Sequence, residues 1–138
     1  METTGVRSAL MRRVRGKDTK PEIRLRKALH AAGVRFRLHD RRLPGRPDLV
    51  LPARRLAIFV HGCFWHRHEG CVRTTTPKAN NAYWAQKFAE NIERDARKTT
   101  ELRQAGWNVM VVWECEILDD PTLDGIVRDI VATPKARP

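Results

Sequence analysis

The chain has 138 residues, enough for one domain with its own core and too few for two. It carries 27 Lys and Arg against 16 Asp and Glu, a formal net charge of +11, and residues 1–46 hold 14 of the basic and 4 of the acidic residues. No apolar run of about 18 residues, signal-peptide pattern or lipidation signal occurs, so we expect a cytoplasmic protein whose basic third binds a polyanion rather than a membrane.

Residues 1–18 are rich in Arg and lack an apolar face, which predicts a basic, mobile arm ahead of a single domain over residues 19–138. A helix is predicted from Thr19, because Thr19 and Glu22 have the spacing of a capping box and apolar residues recur at helical intervals until Gly33. The alternating segment VRFRL (34–38) predicts a strand with one solvated face.

Two short apolar runs, DLVL (48–51) and LAIFV (56–60), predict a hairpin of buried strands. A long helix is predicted from Asn81 to Ala105, WNVMVVW (107–113) has the composition of a central strand, and a closing helix is predicted from Asp120. The predicted apolar face of the long helix consists of Ala85, Phe88, Ala89, Ile92, Ala96, Thr99 and Leu102. This order predicts an α/β domain with a sheet of mixed direction.

The segment HGCFWHRHEGC (61–71) concentrates metal-ligating side chains. Cys63, His68 and Cys71 could form a zinc tetrahedron with the distant Cys115, because zinc favours four thiolate or imidazole ligands. Such a closed site would be structural. The alternative is that the three cysteines, an odd number unsuited to a disulfide framework, are buried as small apolar side chains.

His61 and His66 remain available for chemistry, just after a buried strand. Asp48 begins the preceding strand, and hairpin geometry could bring it close to His61. A carboxylate that binds Mg²⁺ beside an imidazole that takes a proton from water is sufficient to hydrolyse a phosphodiester. In the alternative interpretation Asp48 only terminates a turn and both histidines are solvated.

Large flat side chains accompany these groups. Phe64 and Trp65 lie between the candidate zinc ligands, and Trp84 follows at the start of the long helix. Exposed rings on a rigid loop could stack on bases or insert between them. Core packing is the alternative for Trp84, whereas Trp107 and Trp113 are predicted to lie in the core.

The chain resembles the very-short-patch repair endonucleases, bacterial enzymes that nick DNA at T·G mispairs. The stretches that carry the resemblance are RGKDTKPE (15–22), LPGRPDLV (43–50), FVHGCFWHRH (59–68), YWAQKFAENIERD (83–95) and GWNVMVVWECE (106–116). The resemblance implies a restriction-endonuclease-like mixed β-sheet flanked by helices, with a structural zinc site. Most nucleases of that fold carry an acid and a lysine where this chain has Phe59, Val60 and His61.

The resemblance also implies roles for individual residues. Asp48 and the backbone carbonyl of Val60 would bind a catalytic Mg²⁺ ion. His66 would activate the attacking water, His61 would lie close to the scissile phosphate, and Glu22 would assist the cation site indirectly.

The remaining implied roles concern zinc and DNA. The structural Zn²⁺ would be held by Cys63, His68, Cys71 and Cys115, and the intercalating wedge would be formed by Phe64, Trp65 and Trp84. The arm would follow the minor groove, with Arg12, Arg13, Arg15 and Lys17 on the DNA backbone. The expected partner is double-stranded DNA with a T·G mismatch, and the enzyme is expected to act as a monomer. When bound to DNA it would be associated with the nucleoid, where other bacterial mismatch-repair proteins are possible partners.

Three hypotheses therefore stand. The first is a Mg²⁺-dependent endonuclease that nicks one strand at a T·G mispair. The second is a restriction-like or mobile-element nuclease of the same fold with another DNA target. The third is a zinc-stabilised DNA-binding module without catalysis.

Overall fold

The structure, a computed structural model, describes residues 18–135, and the predicted basic arm lies outside the described residues except for Asp18. The described chain forms a mixed α/β domain. Its elements in chain order are α1 (Lys20–Ala31), β1 (Arg37–Leu38), β2 (Leu49–Leu51), a 3₁₀ turn (Pro52–Arg54), β3 (Leu56–His61), α2 (Asn81–Gln104), β4 (Asn108–Trp113), α3 (Glu114–Ile117) and α4 (Asp120–Ala132). None of the described helices is long and apolar enough to cross a membrane.

The sheet has the order β1-β2-β3-β4 among the described strands. The first two pairs are antiparallel, which confirms the predicted hairpin, whereas β3 and β4 run parallel. Parallel neighbours need a crossover connection, and α2 supplies it. β4 was predicted to be central but lies at the edge of the described sheet. The β-branched and aromatic residues of β4 indicate that its two faces pack against other parts of the protein. They do not indicate which strands lie beside it in the sheet.

Both faces of the sheet are covered, as the alternation along β3 requires. Leu56 and Ile58 point into a cluster with α1 and α4, and Ala57 and Phe59 point into a second cluster with Leu102 of α2. The first cluster comprises Leu25, Leu29, Val34, Leu49, Leu51, Leu56, Ile58, Val112, Ile117, Leu123 and Ile130. The long helix therefore lies on one face of the sheet while α1 and α4 lie on the other.

The local signals at the ends of α1 and α4 are observed. The side chain of Thr19 accepts a hydrogen bond from the Glu22 N–H at 3.4 Å, and Asp119 accepts one from the Thr122 N–H at 3.2 Å. Each bond satisfies an otherwise unpaired donor in the first turn of a helix. The predicted starts of both helices are therefore confirmed.

Other predictions were wrong in detail. Only Arg37–Leu38 of the segment 34–38 pairs as a strand, the short helix α3 was not predicted, and Trp107 and Trp113 are only half-buried. The inward face of α2 is also rotated from the predicted one, since Ile92 is 52% exposed and Ala85, Ala89 and Ala96 face solvent. The residues of α2 sheltered from solvent are Trp84, Phe88, Asn91, Asp95, Lys98, Thr99 and Leu102, three of which belong to the predicted face. Alanines bury little apolar area, so the larger rings and Leu102 determine which face packs.

Candidate active site and cysteine cluster

A cleft of about 610 Å³ opens where β3 ends, bounded by the N-terminus of α1, the loop before β2 and the middle of α2. Asp48, His61 and His66 all line this cleft, so the fold brings together the three residues predicted for chemistry. The cations that line it are Lys20, Arg46, Arg94 and Lys98. A cleft with carboxylates and imidazoles inside and cations among its walls suits a polyanionic substrate.

Asp48 immediately precedes β2, and a hydrogen bond from the neighbouring strand β3 holds its side chain in place. Its Oδ2 accepts a hydrogen bond from the backbone N–H of Val60 at 2.7 Å, which the antiparallel pairing of β2 and β3 makes possible. Burial, with a smaller contribution from the nearby Glu22, raises the pKa of Asp48 to about 6 even though the Val60 N–H lowers it. The ionised carboxylate is therefore less stable in the cleft than in water, and a nearby positive charge would stabilise it.

His61 and His66 form a stacked pair braced by a carboxylate. Their ring centroids lie 3.8 Å apart with an interplanar angle of 8°. Asp95 of α2 reaches this pair, with its Oδ2 2.6 Å from Nδ1 of His66 and its Oδ1 4.0 Å from Nε2 of His61. A carboxylate on Nδ1 fixes the tautomer and leaves Nε2 of His66 available to accept a proton.

The electrostatics of this pair follow from its surroundings. Burial, together with the neighbouring His66, lowers the pKa of His61 to about 3, so His61 is neutral at neutral pH. Burial alone would raise the pKa of Asp95, but its hydrogen bond with His66 and the nearby positive charge of Lys98 hold that pKa below its ordinary value. Asp95 is therefore an ionised partner for His66.

Asp95 was missed by the sequence analysis, as was Asn91, whose Nδ2 donates to the backbone carbonyl of Trp65 at 3.1 Å. A signal was present. Asn91, Asp95 and Lys98 share a heptad-like spacing with Trp84 and Leu102, so the polar residues lie on the inward face of α2. A polar stripe on a packed face is typical of residues that line a site.

Glu22 lies on the other side of Asp48. It is only 2% exposed, and its Oε1 is 3.1 Å from Nη2 of Arg26 and 3.3 Å from Nε2 of His39. His39 was not singled out by the sequence. Glu22 has no direct contact with the histidine pair, so its place agrees with an indirect part in a cation site at Asp48.

The predicted zinc ligands converge. One donor atom each from Cys63, His68, Cys71 and Cys115 lies within 4.8 Å of the other three, and Nδ1 of His68 is 3.5 Å from Sγ of Cys115. Ligand bonds of about 2.0–2.3 Å in a tetrahedron separate the donors by about 3.5–3.8 Å. A small contraction of this cluster would therefore hold a zinc ion, and the three-thiolate, one-imidazole set fits that metal.

The surroundings of the cluster hold its ligands in place. The His68 ring stacks on Trp113 at 4.2 Å, and the Thr74 hydroxyl donates to the carbonyl of His68 at 2.7 Å. Burial raises the pKa of the Cys63 thiol to about 12, whereas a backbone N–H at Arg73 lowers the pKa of Cys71 to about 7. The Cys63 N–H also donates to Glu114, which lines the cleft, so the cluster and the cleft share a wall.

The three predicted wedge residues form one aromatic cluster with Phe88. Phe64 lies 5.8 Å from Trp84 and 5.1 Å from Trp65 between ring centroids. Phe64 and Trp84 are half-buried, but Trp65 is only 9% exposed, so the expectation that the loop leaves its rings open was wrong for Trp65. Packing against Phe64 and Trp84 accounts for this burial.

Taken together, a cation-lined cleft contains a partly buried carboxylate and a carboxylate-braced imidazole pair. These features are typical of a hydrolase suited to a phosphodiester, because a carboxylate that could bind a cation and an imidazole that could accept a proton open on the same space.

The chain belongs to the DNA mismatch endonuclease Vsr family, whose model matches residues 2–73. It is 50% identical over 125 residues to the type II nicking enzyme V.XorIIP of Xanthomonas oryzae pv. oryzae, covering 91% of each chain. It is 42% identical over 132 residues to the type II nicking enzyme V.NmeAIP of Neisseria meningitidis, covering 93% of this chain and 94% of the relative. It is 43% identical over 111 residues to the DNA mismatch endonuclease Vsr of Escherichia coli, covering 80% and 70%. The protein is a DNA-cleaving hydrolase, which rules out the non-catalytic module.

Proposed function

We propose that this enzyme is a Mg²⁺-dependent endonuclease that nicks one strand of duplex DNA at a T·G mispair, the cleavage step of very-short-patch repair. The observation that carries the proposal is that Asp48 and the His66–Asp95 pair open on the same cleft beside the aromatic cluster. The names of two relatives, a DNA mismatch endonuclease and a type II nicking enzyme, also support the proposal.

The cation would be held by Asp48 and the backbone carbonyl of Val60. These donors fit Mg²⁺, which prefers oxygen ligands, and one Asp48 oxygen is already oriented by the Val60 N–H. When bound, the ion supplies positive charge to the scissile phosphate. The chain's own part is to hold a carboxylate at fixed orientation in a partly buried position, where its negative charge is less stable than in water.

Proton transfer falls to His66. With Nδ1 held by Asp95, Nε2 of His66 takes a proton from the attacking water, and Asp95 stabilises the imidazolium that results. His61 is neutral and stacked on His66, so it donates a hydrogen bond to the phosphate without adding a second charge beside the base.

Recognition of the mispair is assigned to Phe64, Trp65 and Trp84. A mispaired step costs less energy to unstack than a matched one, so insertion of a ring favours the mismatched substrate. Phe64 and Trp84 are partly accessible, whereas Trp65 would have to leave its packed position to insert. The basic arm, with Arg12, Arg13, Arg15 and Lys17, would add affinity for DNA backbone without sequence information.

A panel of end-labelled duplexes tests the proposal. We expect one strand of the T·G duplex to be nicked when Mg²⁺ is present, and no nicking when a chelator removes Mg²⁺. Matched duplexes and other mispairs should be cleaved little. The products are read on denaturing gels under single-turnover conditions. Equal cleavage of matched and T·G duplexes would contradict the proposed specificity.

The panel also addresses a second function. The names of two relatives, type II nicking enzymes, favour a nickase that recognises a particular sequence. In that case cleavage would depend on the bases that flank the target and would persist when the mispair is repaired. Flanking sequence is therefore varied in a second set of T·G duplexes.

Asp95→Asn tests the proposed proton relay. The amide keeps the size of the side chain but removes the charge that stabilises protonated His66, so the single-turnover nicking rate should fall by about 10²–10⁴-fold. DNA affinity, measured by fluorescence anisotropy, should change little. Glu93→Gln is the control, because Glu93 is exposed on the same helix and pairs only with Arg97 among the described residues. Equal rates for both variants would remove Asp95 from the mechanism.

A further inference from the structure

One histidine near the cleft has no role in the function proposed above. His39 lies between two carboxylates, with Nε2 3.3 Å from Oε1 of Glu22 and Nδ1 3.9 Å from Oδ1 of Asp48. One donor atom from each of the three residues lies within 4.8 Å of the other two. The ring therefore bridges the buried Glu22 and the carboxylate proposed to hold the cation.

The backbone aims this ring at Asp48. His39 follows β1, and its N–H donates to the backbone carbonyl of Asp48 at 3.1 Å. Its φ of 47° lies in the left-handed region, which non-glycine residues seldom adopt. The side chain is 17% exposed, so the ring is held in place by its neighbours.

The two ring nitrogens of His39 have different neighbours. Nε2 lies 3.3 Å from Oε1 of Glu22 and 3.2 Å from Nη2 of Arg26, so a carboxylate and a guanidinium both face it. Nδ1 faces Oδ1 of Asp48 at 3.9 Å, too far for a hydrogen bond. A cation that fills this gap would lie between the ring nitrogen and the carboxylate oxygen.

Metal-binding histidines in proteins commonly place one ring nitrogen on the metal and the other beside a carboxylate, a carbonyl or a water molecule. We infer that His39 is a further ligand, through Nδ1, of the divalent cation at Asp48. The inference rests on the cation site of the proposed function. A mixed imidazole and carboxylate site favours Mn²⁺ over Mg²⁺, because Mg²⁺ prefers oxygen donors alone.

Direct binding measurements test this inference without reference to cleavage. Zinc-loaded enzyme is titrated with Mn²⁺, followed by the electron paramagnetic resonance of the free ion, and Mg²⁺ is added as a competitor. In His39→Asn we expect Mn²⁺ affinity to fall by at least about tenfold, because loss of even a residue that only hydrogen-bonds to a metal ligand commonly lowers metal affinity by about that much. Mg²⁺ affinity should fall much less. Asn tolerates the left-handed backbone at this position, so the variant should fold.

A spectroscopic readout identifies the ligand itself. Bound Mn²⁺ should show electron spin echo modulation from a directly coordinated ¹⁴N nucleus, and this modulation should vanish in His39→Asn but persist in His30→Asn, a change at an exposed histidine of α1. An unchanged ratio of Mn²⁺ to Mg²⁺ affinity in His39→Asn, or modulation that survives it, would overturn the inference and leave the proposed Mg²⁺ site standing. Asp48→Asn should abolish binding of both ions, and failure to do so would overturn the cation site as well.

Discussion

Replacing Asp48 by Asn is expected to reduce the nicking rate by about 10³-fold or more. The amide retains the shape of the side chain and an oxygen that accepts the Val60 N–H, but it removes the charge that holds the cation. Charge stabilisation by a bound metal is worth several kcal/mol in the transition state, and about 1.4 kcal/mol corresponds to tenfold in rate. Single-turnover nicking of the T·G duplex at saturating Mg²⁺ measures the loss.

The same substitution should make the protein more stable. Because burial raises the pKa of Asp48 to about 6, the folded chain at pH 7.5 pays the full cost of ionising a carboxyl that ionises freely, at 3.8, when unfolded. Because the side chain is 26% exposed and solvent screens its charge, we take the free-energy cost of ionising Asp48 in the folded chain as about 1–2 kcal/mol. We expect the melting temperature of Asp48→Asn to rise by about 3–8 °C in Mg²⁺-free buffer. The gain should shrink as pH falls from 6 toward 4, where both proteins carry a neutral group.

A matched control separates these effects from a general loss of charge. Asp124→Asn changes an exposed carboxylate on α4, remote in sequence from the cleft residues, and should alter neither nicking nor melting temperature. If Asp48→Asn cleaves DNA at more than about a tenth of the parent rate, the carboxylate is not a cation ligand. If it is less stable than the parent, the buried charge is compensated within the fold.

The sequence predicted those parts of the fold that depend on local chemistry. The starts of α1 and α4 follow from the capping residues at Thr19 and from Asp120 before Pro121, and the hairpin of β2 and β3 follows from two short apolar runs. The edge position of β4 could not be predicted, since the apolar pattern of a strand reports burial of its faces and not its neighbours. The inward face of α2 was predicted wrongly because its alanines bury much less apolar area than its aromatic side chains and therefore do not determine which face packs.

The same distinction applies to the site. Asp48, His61 and His66 were predicted from residue type and proximity to buried strands, where short-range geometry is informative. Asp95 and His39 were missed because their partners are 29 and 9 residues away along the chain, and only the packing of α2 and the left-handed turn after β1 bring them together. Residues that brace a site act through tertiary contacts, which periodicity alone does not encode.

Removal of zinc is the second change with a large expected effect. In small zinc domains, structural Zn²⁺ contributes an apparent binding free energy of about 10–16 kcal/mol, comparable to the entire stability of a domain, about 5–15 kcal/mol. Cys115 lies 44 residues after Cys71, so a zinc ion would connect the loop after β3 to the short helix α3 that follows β4. We expect a strong chelator to lower the melting temperature by at least about 10 °C and to abolish nicking.

Nicking should be lost with zinc because the loop that carries three of the ligands also carries His66, and because the Cys63 N–H donates to Glu114 at the wall of the cleft. Cys115→Ser removes one ligand and should behave like the chelated protein, whereas Leu118→Ser changes an exposed apolar residue nearby and should not. Elemental analysis should find one zinc per parent chain and much less in Cys115→Ser. Buried thiols without metal would instead give a zinc-free parent whose melting temperature the chelator leaves unchanged, and the rigidity of the loop would then rest on its hydrogen bonds and ring contacts alone.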